Sequence, residues 1–75
     1  MKDYQSYNLY PNPAKSYLHV DIEEKNLPFK IFDLKGKVYI VDTLRALKNT
    51  IDISGLPAGM YIFYNIHGAS KFTKI

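Results

Sequence analysis

The sequence predicts an all-β fold, a small antiparallel β-sandwich, from three observations. Apolar and polar residues alternate with a period of two in successive short stretches, and turn signals separate those stretches about every 8 to 12 residues. No stretch carries a helical period long enough to hold itself up. Six or seven short strands spaced in this way argue for a sandwich of immunoglobulin-like type.

Tyr17-Leu18-His19-Val20-Asp21-Ile22 is the cleanest strand, with Leu18, Val20 and Ile22 on one face and Tyr17, His19 and Asp21 on the other. Phe29-Lys30-Ile31-Phe32-Asp33 and Lys37-Val38-Tyr39-Ile40-Val41 flank Leu34-Lys35-Gly36 and read as a hairpin. Asp33 opens its turn and Gly36 takes a left-handed bulge position. Residues 43–48 form a connection with at most one helical turn, because six residues fall well short of a stable helix. Asn49-Thr50-Ile51-Asp52-Ile53 alternates again. Met60-Tyr61-Ile62-Phe63-Tyr64-Asn65-Ile66 is apolar on both faces, as a central strand packed on two sides would be. His67-Gly68-Ala69-Ser70 turns the chain into a last strand, Lys71-Phe72-Thr73-Lys74-Ile75. The expected core is Leu18, Val20, Ile31, Val38, Ile40, Ile51, Ile53, Ile62 and Ile66, with Phe29 or Phe32 added by register.

At 75 residues the chain is one domain, and such a domain buries only roughly 60 to 65% of the surface its unfolded chain exposes. A hydrophobic content of 47% with seven Tyr and four Phe excludes a disordered segment. Without cysteine there are no disulfides and no thiolate zinc site. No apolar run reaches the roughly 18 residues of a membrane span, and Met1-Lys2-Asp3-Tyr4 does not begin a signal peptide. The net charge of +3 comes from scattered lysines. A nucleic-acid partner calls for base-rich charge on one face, whereas lysines on strand edges and turns discourage sheet-to-sheet aggregation. No nucleic-acid partner is expected.

Candidate chemistry is sparse. His19 and His67 are the only histidines, and Ser6, Ser16, Ser54 and Ser70 lack a nucleophile-elbow glycine pattern. No catalytic residue, cofactor site or metal site is assigned. Asp33, Asp42 and Asp52 could meet as calcium ligands at one end of a sandwich, but turn and strand-edge roles explain them more simply. Tyr4, Tyr7, Tyr10, Tyr17, Tyr39, Tyr61 and Tyr64 could stack bases or sugar rings, but they read first as amphipathic core edges.

Two turns stand out. In Pro11-Asn12-Pro13-Ala14 both prolines fix φ and push Tyr10 and Asn12 toward extended geometry, and Asn12-Pro13-Ala14-Lys15 fits a type I turn. In Leu56-Pro57-Ala58-Gly59 the second-place Pro and fourth-place Gly fit another, with Leu56 plugging the end of the sandwich. Each alone reads as an ordinary corner. Their order is more specific. Pro11, Asn12, Pro13 and Ala14 come near the start, then Leu18 and Val20, then Ile31, Asp33, Gly36 and Val38. Ile51-Asp52-Ile53-Ser54 follows, then Leu56, Pro57, Ala58, Gly59, Met60 and Tyr61, with Lys71 and Lys74 near residue 75.

This string, over roughly residues 7 to 75, resembles the C-terminal sorting domain, type A, of the type IX (Por) secretion system of Bacteroidetes. The resemblance implies a single sorting domain over residues 1–75, N-terminal to which lies a cargo protein. It implies recognition by outer-membrane type IX translocon components and removal by a sortase-like peptidase, with attachment of cargo to the cell surface. The location implied is the periplasm in transit, then the cell surface or the extracellular space. It also implies that the domain is not an enzyme and that Met1 marks an expression start. The family's tail usually runs one or two residues past the last apolar position, often with a Lys, where this sequence has Ile75. The rival reading is an immunoglobulin-like adhesion or carbohydrate-binding accessory module of a secreted enzyme.

Overall fold

A computed structural model describes residues 7–75, which leaves Tyr4 and Ser6 outside the described residues. It contains seven strands: β1 (Tyr7–Tyr10), β2 (Tyr17–Ile22), β3 (Leu27–Asp33), β4 (Val38–Leu44), β5 (Lys48–Asp52), β6 (Gly59–Asn65) and β7 (Gly68–Lys74). They form a three-stranded sheet in the order β1-β2-β5 and a four-stranded sheet in the order β4-β3-β6-β7, with every strand pair antiparallel. In immunoglobulin lettering these are A-B-E and C′-C-F-G, so the all-β sandwich expected from the alternation is what forms.

The inner faces meet in one core containing Leu18, Val20, Ile22, Leu27, Phe29, Ile31, Ile51 and Ile53. Phe63 sits at its centre with no exposed surface. The Tyr7 ring meets it edge-on from the other sheet at 5.6 Å, and the Phe29 ring lies 5.3 Å away in the same sheet. Aromatic pairs at such distances add to simple area burial.

Several expectations need correction. Strand β6 buries Tyr61, Phe63 and Asn65 and turns Ile62, Tyr64 and Ile66 away from the core, so it is central in its sheet but packed on one face. Ile66 is 81% exposed and Val38 is 46% exposed, and neither belongs to the core. Ile40 is half-buried against the core edge, and Phe29, not Phe32, is the buried phenylalanine of β3. A register shift between Ile31 and Phe32 pairs Phe32 with Val38 and leaves Tyr39 as the bulged residue, which turns Val38 outward. The connection expected at residues 43–48 is present without a helical turn but is shorter, residues 45–47, because β4 runs on to a buried Leu44 and β5 begins at Lys48. The last hairpin turns through Ile66 and His67, two residues before the expected place. Asn65 pairs with Gly68, and the Asn65 Oδ1 accepts from the His67 N–H at 2.7 Å. The seventh strand is β1, held by pairing with β2.

Candidate functional site

Strand directions bring the motif residues to one end of the sandwich. The chain starts β1 at the opposite end, where Tyr7 pairs with Ile22, and crosses at residues 11–14. The β3–β4 hairpin, the loop between β5 and β6, and the finish of β7 all lie at that crossing end. Ala14 bridges Lys74, Lys74 pairs with Gly59, and Asp33 pairs with Tyr61. Pro11, Asn12, Pro13, Ala14, Gly36, residues 56–61 and Lys74 thus share one pole.

The Pro11-Asn12-Pro13-Ala14 segment carries the chain from one sheet to the other. Ala14, fully buried, donates its N–H to the Thr73 carbonyl at 2.8 Å and accepts from the Ile75 N–H at 2.9 Å, a parallel bridge to the end of β7. The Asn12 Oδ1 accepts from the Thr73 N–H at 3.0 Å. No backbone hydrogen bond closes the expected turn over residues 12–15. Neither proline has an N–H to offer the ladder, and the Asn12 side chain separately supplies an acceptor for the Thr73 N–H. The chain then returns to its first sheet, where the Ser16 carbonyl accepts from the Ile53 N–H at 2.9 Å.

The second turn also closes elsewhere than expected. The Leu56 N–H donates to the Ile53 carbonyl at 3.0 Å, one turn before Leu56-Pro57-Ala58-Gly59, and the Asp52 Oδ1 accepts from the Ser54 N–H and hydroxyl. Leu56 is buried and plugs the end of the core. The following loop is pinned by the Tyr61 hydroxyl, which donates to the Pro57 carbonyl. A tyrosine early in the F strand that bonds back a few residues upstream is the tyrosine corner of immunoglobulin-like sandwiches. Burial, followed by the nearby Tyr39 and Asp33, pushes the Tyr61 phenol above its ordinary pKa. Gly59 has φ +153° with open space where a Cβ would stand, so its backbone conformation, not crowding, favours glycine.

Asp33 organises the hairpin. Its Oδ1 accepts from the Lys37 and Lys35 N–H groups at 2.9 Å each, and its Oδ2 accepts from the Tyr39 hydroxyl at 3.4 Å. The Lys37 bond, with help from Lys35, Tyr39 and Gly36, holds its pKa below the carboxylate norm. Gly36 has φ +93°, the left-handed conformation expected of it. The Ser54 hydroxyl, then the Ser54 N–H, lowers Asp52 in the same direction.

The pole divides into a presented rim and a buried support. Pro11, Asn12, Pro13, Gly36, Pro57, Ala58, Gly59 and Met60 are exposed, and Ala14, Leu56, Tyr61 and Lys74 are buried. Lys74 lays its aliphatic stem inside, and its Nζ donates to the Ile75 carbonyl at 3.1 Å. A groove of about 310 Å³ runs between the β3–β4 hairpin and residues 57–61, lined by Leu34, Tyr39, Pro57 and Met60. Lys71 lies apart, midway along β7 and opposite Ile62. Thr73 is not singled out by the sequence, where only the spacing of Asn12 from the last strand points to it, and Tyr39 is a candidate there only among the stacking tyrosines, not as a partner of Asp33.

Other candidates do not assemble. Among the described residues no three His, Asp or Glu side chains gather as a metal site. Asp33 and Asp52 serve turns, and Asp42 bonds the Thr43 N–H and faces Arg45 at 3.7 Å. His19 bonds Thr50, and His67 bonds Glu24. Tyr7 and Tyr61 are buried, Tyr39 is half-buried, and Tyr64 lies on the opposite outer face from Tyr10 and Tyr17, so the described tyrosines do not gather on one stacking face. Among the described residues no helix is long and apolar enough to cross a membrane.

The described residues form a small immunoglobulin-like sandwich that gathers most of its motif residues at one pole. The chain belongs to the secretion system C-terminal sorting domain family, which it matches over residues 8–75. It is thus a type IX sorting domain, of a family whose members serve as signals on secreted cargo and are not catalysts. No curated protein and no solved structure matches the chain.

Proposed function

We propose that residues 1–75 act as one C-terminal sorting domain that directs a preceding cargo from the periplasm across the outer membrane through the type IX translocon. A sortase-like peptidase then removes the domain, and the cargo is released or attached to the cell surface. The supporting observation is family membership over residues 8–75. Recognition falls on the pole. Pro11, Asn12, Pro13, Gly36, Pro57, Ala58, Gly59 and Met60 present the surface there, while Ala14, Val38, Leu56, Tyr61, Lys71 and Lys74 position it or extend it along β4 and β7. Prolines and buried anchors lower the entropy that a partner must remove on binding, which suits recognition by shape.

The test is fusion of residues 1–75 to the C-terminus of a periplasm-targeted reporter in a bacterium with an intact type IX system. Export is expected there and is lost in a strain lacking the translocon. Equal export from both strains overturns the proposal.

A further inference from the structure

The two outer faces of the sandwich differ in kind. On the β1-β2-β5 sheet, beside the exposed Tyr17 ring, the outward residues are mostly polar and tied to one another: the Tyr10 hydroxyl donates to Asp21, Lys48 lies 3.9 Å from Asp21, and His19 bonds Thr50. That is the ordinary solvated side of an antiparallel sheet. On the β4-β3-β6-β7 sheet the outward residues include Val38, Val41, Phe32, Met60, Ile62 and Tyr64, flanked by Thr43 and Thr73, with Ile66 beside them on the adjoining turn. Val41 is 67% exposed, and the Phe32 and Tyr64 rings meet at 6.3 Å. A shallow depression of about 330 Å³ opens between Val41, Tyr64 and Ile66.

The charges of this face are Lys30, between Val41 and Tyr64, and Lys71, opposite Ile62. Among the described residues neither ammonium has an acidic partner, and no strand position on this face is Asp or Glu. A second copy docked face to face would bring lysines and no carboxylate to meet them. An anionic bilayer is answered by clusters of about four to eight basic residues, and two are too few. An apolar face that bears aromatic and Met side chains and only two cations, one of them Lys30 near its middle, has the composition of a protein interface.

We propose that the outer face of the β4-β3-β6-β7 sheet docks a protein whose contact patch is apolar and carries carboxylates opposite Lys30 and Lys71. The inference rests on the sorting reading only for where that partner resides, in the export machinery.

The test uses a full cargo-bearing precursor in type IX-competent cells, with a benzophenone amino acid at position 64 or, as control, at position 17 on the other sheet. A discrete protein adduct is expected from position 64 and none from position 17. Lys30→Glu with Lys71→Glu should cut its yield about tenfold through like-charge contact, with circular dichroism and thermal midpoint unchanged. Changing the carboxylates of the crosslinked peptide to Lys should restore the adduct to that variant and would also answer for any loss of folding. No adduct, equal adducts from both positions, or failure of the charge swap overturns the inference. So does a dimer in sedimentation, or binding to vesicles with 30% anionic lipid, if Lys30→Glu with Lys71→Glu abolishes it. Export of the unmodified precursor separates the two readings. Export without the adduct sinks this inference alone, and the charge-dependent adduct without export supports the face while sinking the sorting function.

Discussion

The Asn12 side-chain carbonyl accepts from the Thr73 backbone N–H at 3.0 Å across 61 positions of sequence. Together with the Ala14 bridge to Lys74 it fastens the first bend of the chain to the last strand, so the two ends of the motif form one structural unit.

Asn12→Ala removes that acceptor and leaves the Thr73 N–H to water. The expected cost is about 0.5–1.5 kcal/mol, read as a lower urea midpoint, and Asn12→Asp should lose less because an oxygen remains in place. A midpoint indifferent to Asn12→Ala would show that the bond adds nothing to the fold.

Strand β6 decides between two faces, and period alone could not choose. Phe63→Ala empties the centre of the core and should cost about 3–5 kcal/mol, enough to unfold a domain this small. Ile62→Ala, on the outer face, should cost well under half of that. Chemical denaturation of the two variants side by side checks the order, and the reverse order would return Ile62 to the core.

Strands with one apolar and one polar face were legible because the pattern names the buried side, as at Leu18, Val20 and Ile22 in β2. Strand β6 was legible in position but not in orientation. Its inner side is fixed by ring contacts with Tyr7 and Phe29 and by the Tyr61 bond to Pro57, all tertiary facts. Strand β1 was not assigned because Tyr7-Asn8-Leu9-Tyr10 is short, and its inward Tyr7 places its hydroxyl 2.7 Å from Ser70 in the other sheet. The motif residues could be named from their order. Their meeting at one pole depends on strand directions and on how the sheets stack, and local sequence carries neither.

The tyrosine corner and the glycine beside it hold the loop between β5 and β6. Tyr61→Phe keeps the buried ring and loses the bond to Pro57, for about 0.5–1.5 kcal/mol. Gly59→Val places a β-branched residue at φ +153°, a conformation that costs about 1–3 kcal/mol away from glycine. Both should lower the thermal midpoint, and Gly59→Val should also reduce export of a fused reporter. Full export with an unchanged midpoint would show that this loop tolerates any backbone shape.

Acid should loosen the same pole. The Asp33 carboxylate is held below its ordinary pKa first by the Lys37 N–H, and Asp52 by the Ser54 hydroxyl. Both therefore bind a proton more readily in the unfolded chain, near pH ~3.9, than in the folded one. The stability they add is complete only above about pH 5 and is lost as pH falls through the unfolded value to the lower folded ones. Asp33→Asn with Asp52→Asn keeps an oxygen acceptor in each turn but cannot titrate. Urea midpoints of this variant should fall less steeply than those of the parent between about pH 4 and pH 2. Parallel slopes would mean that the turns hold the protonated and ionised acids equally well.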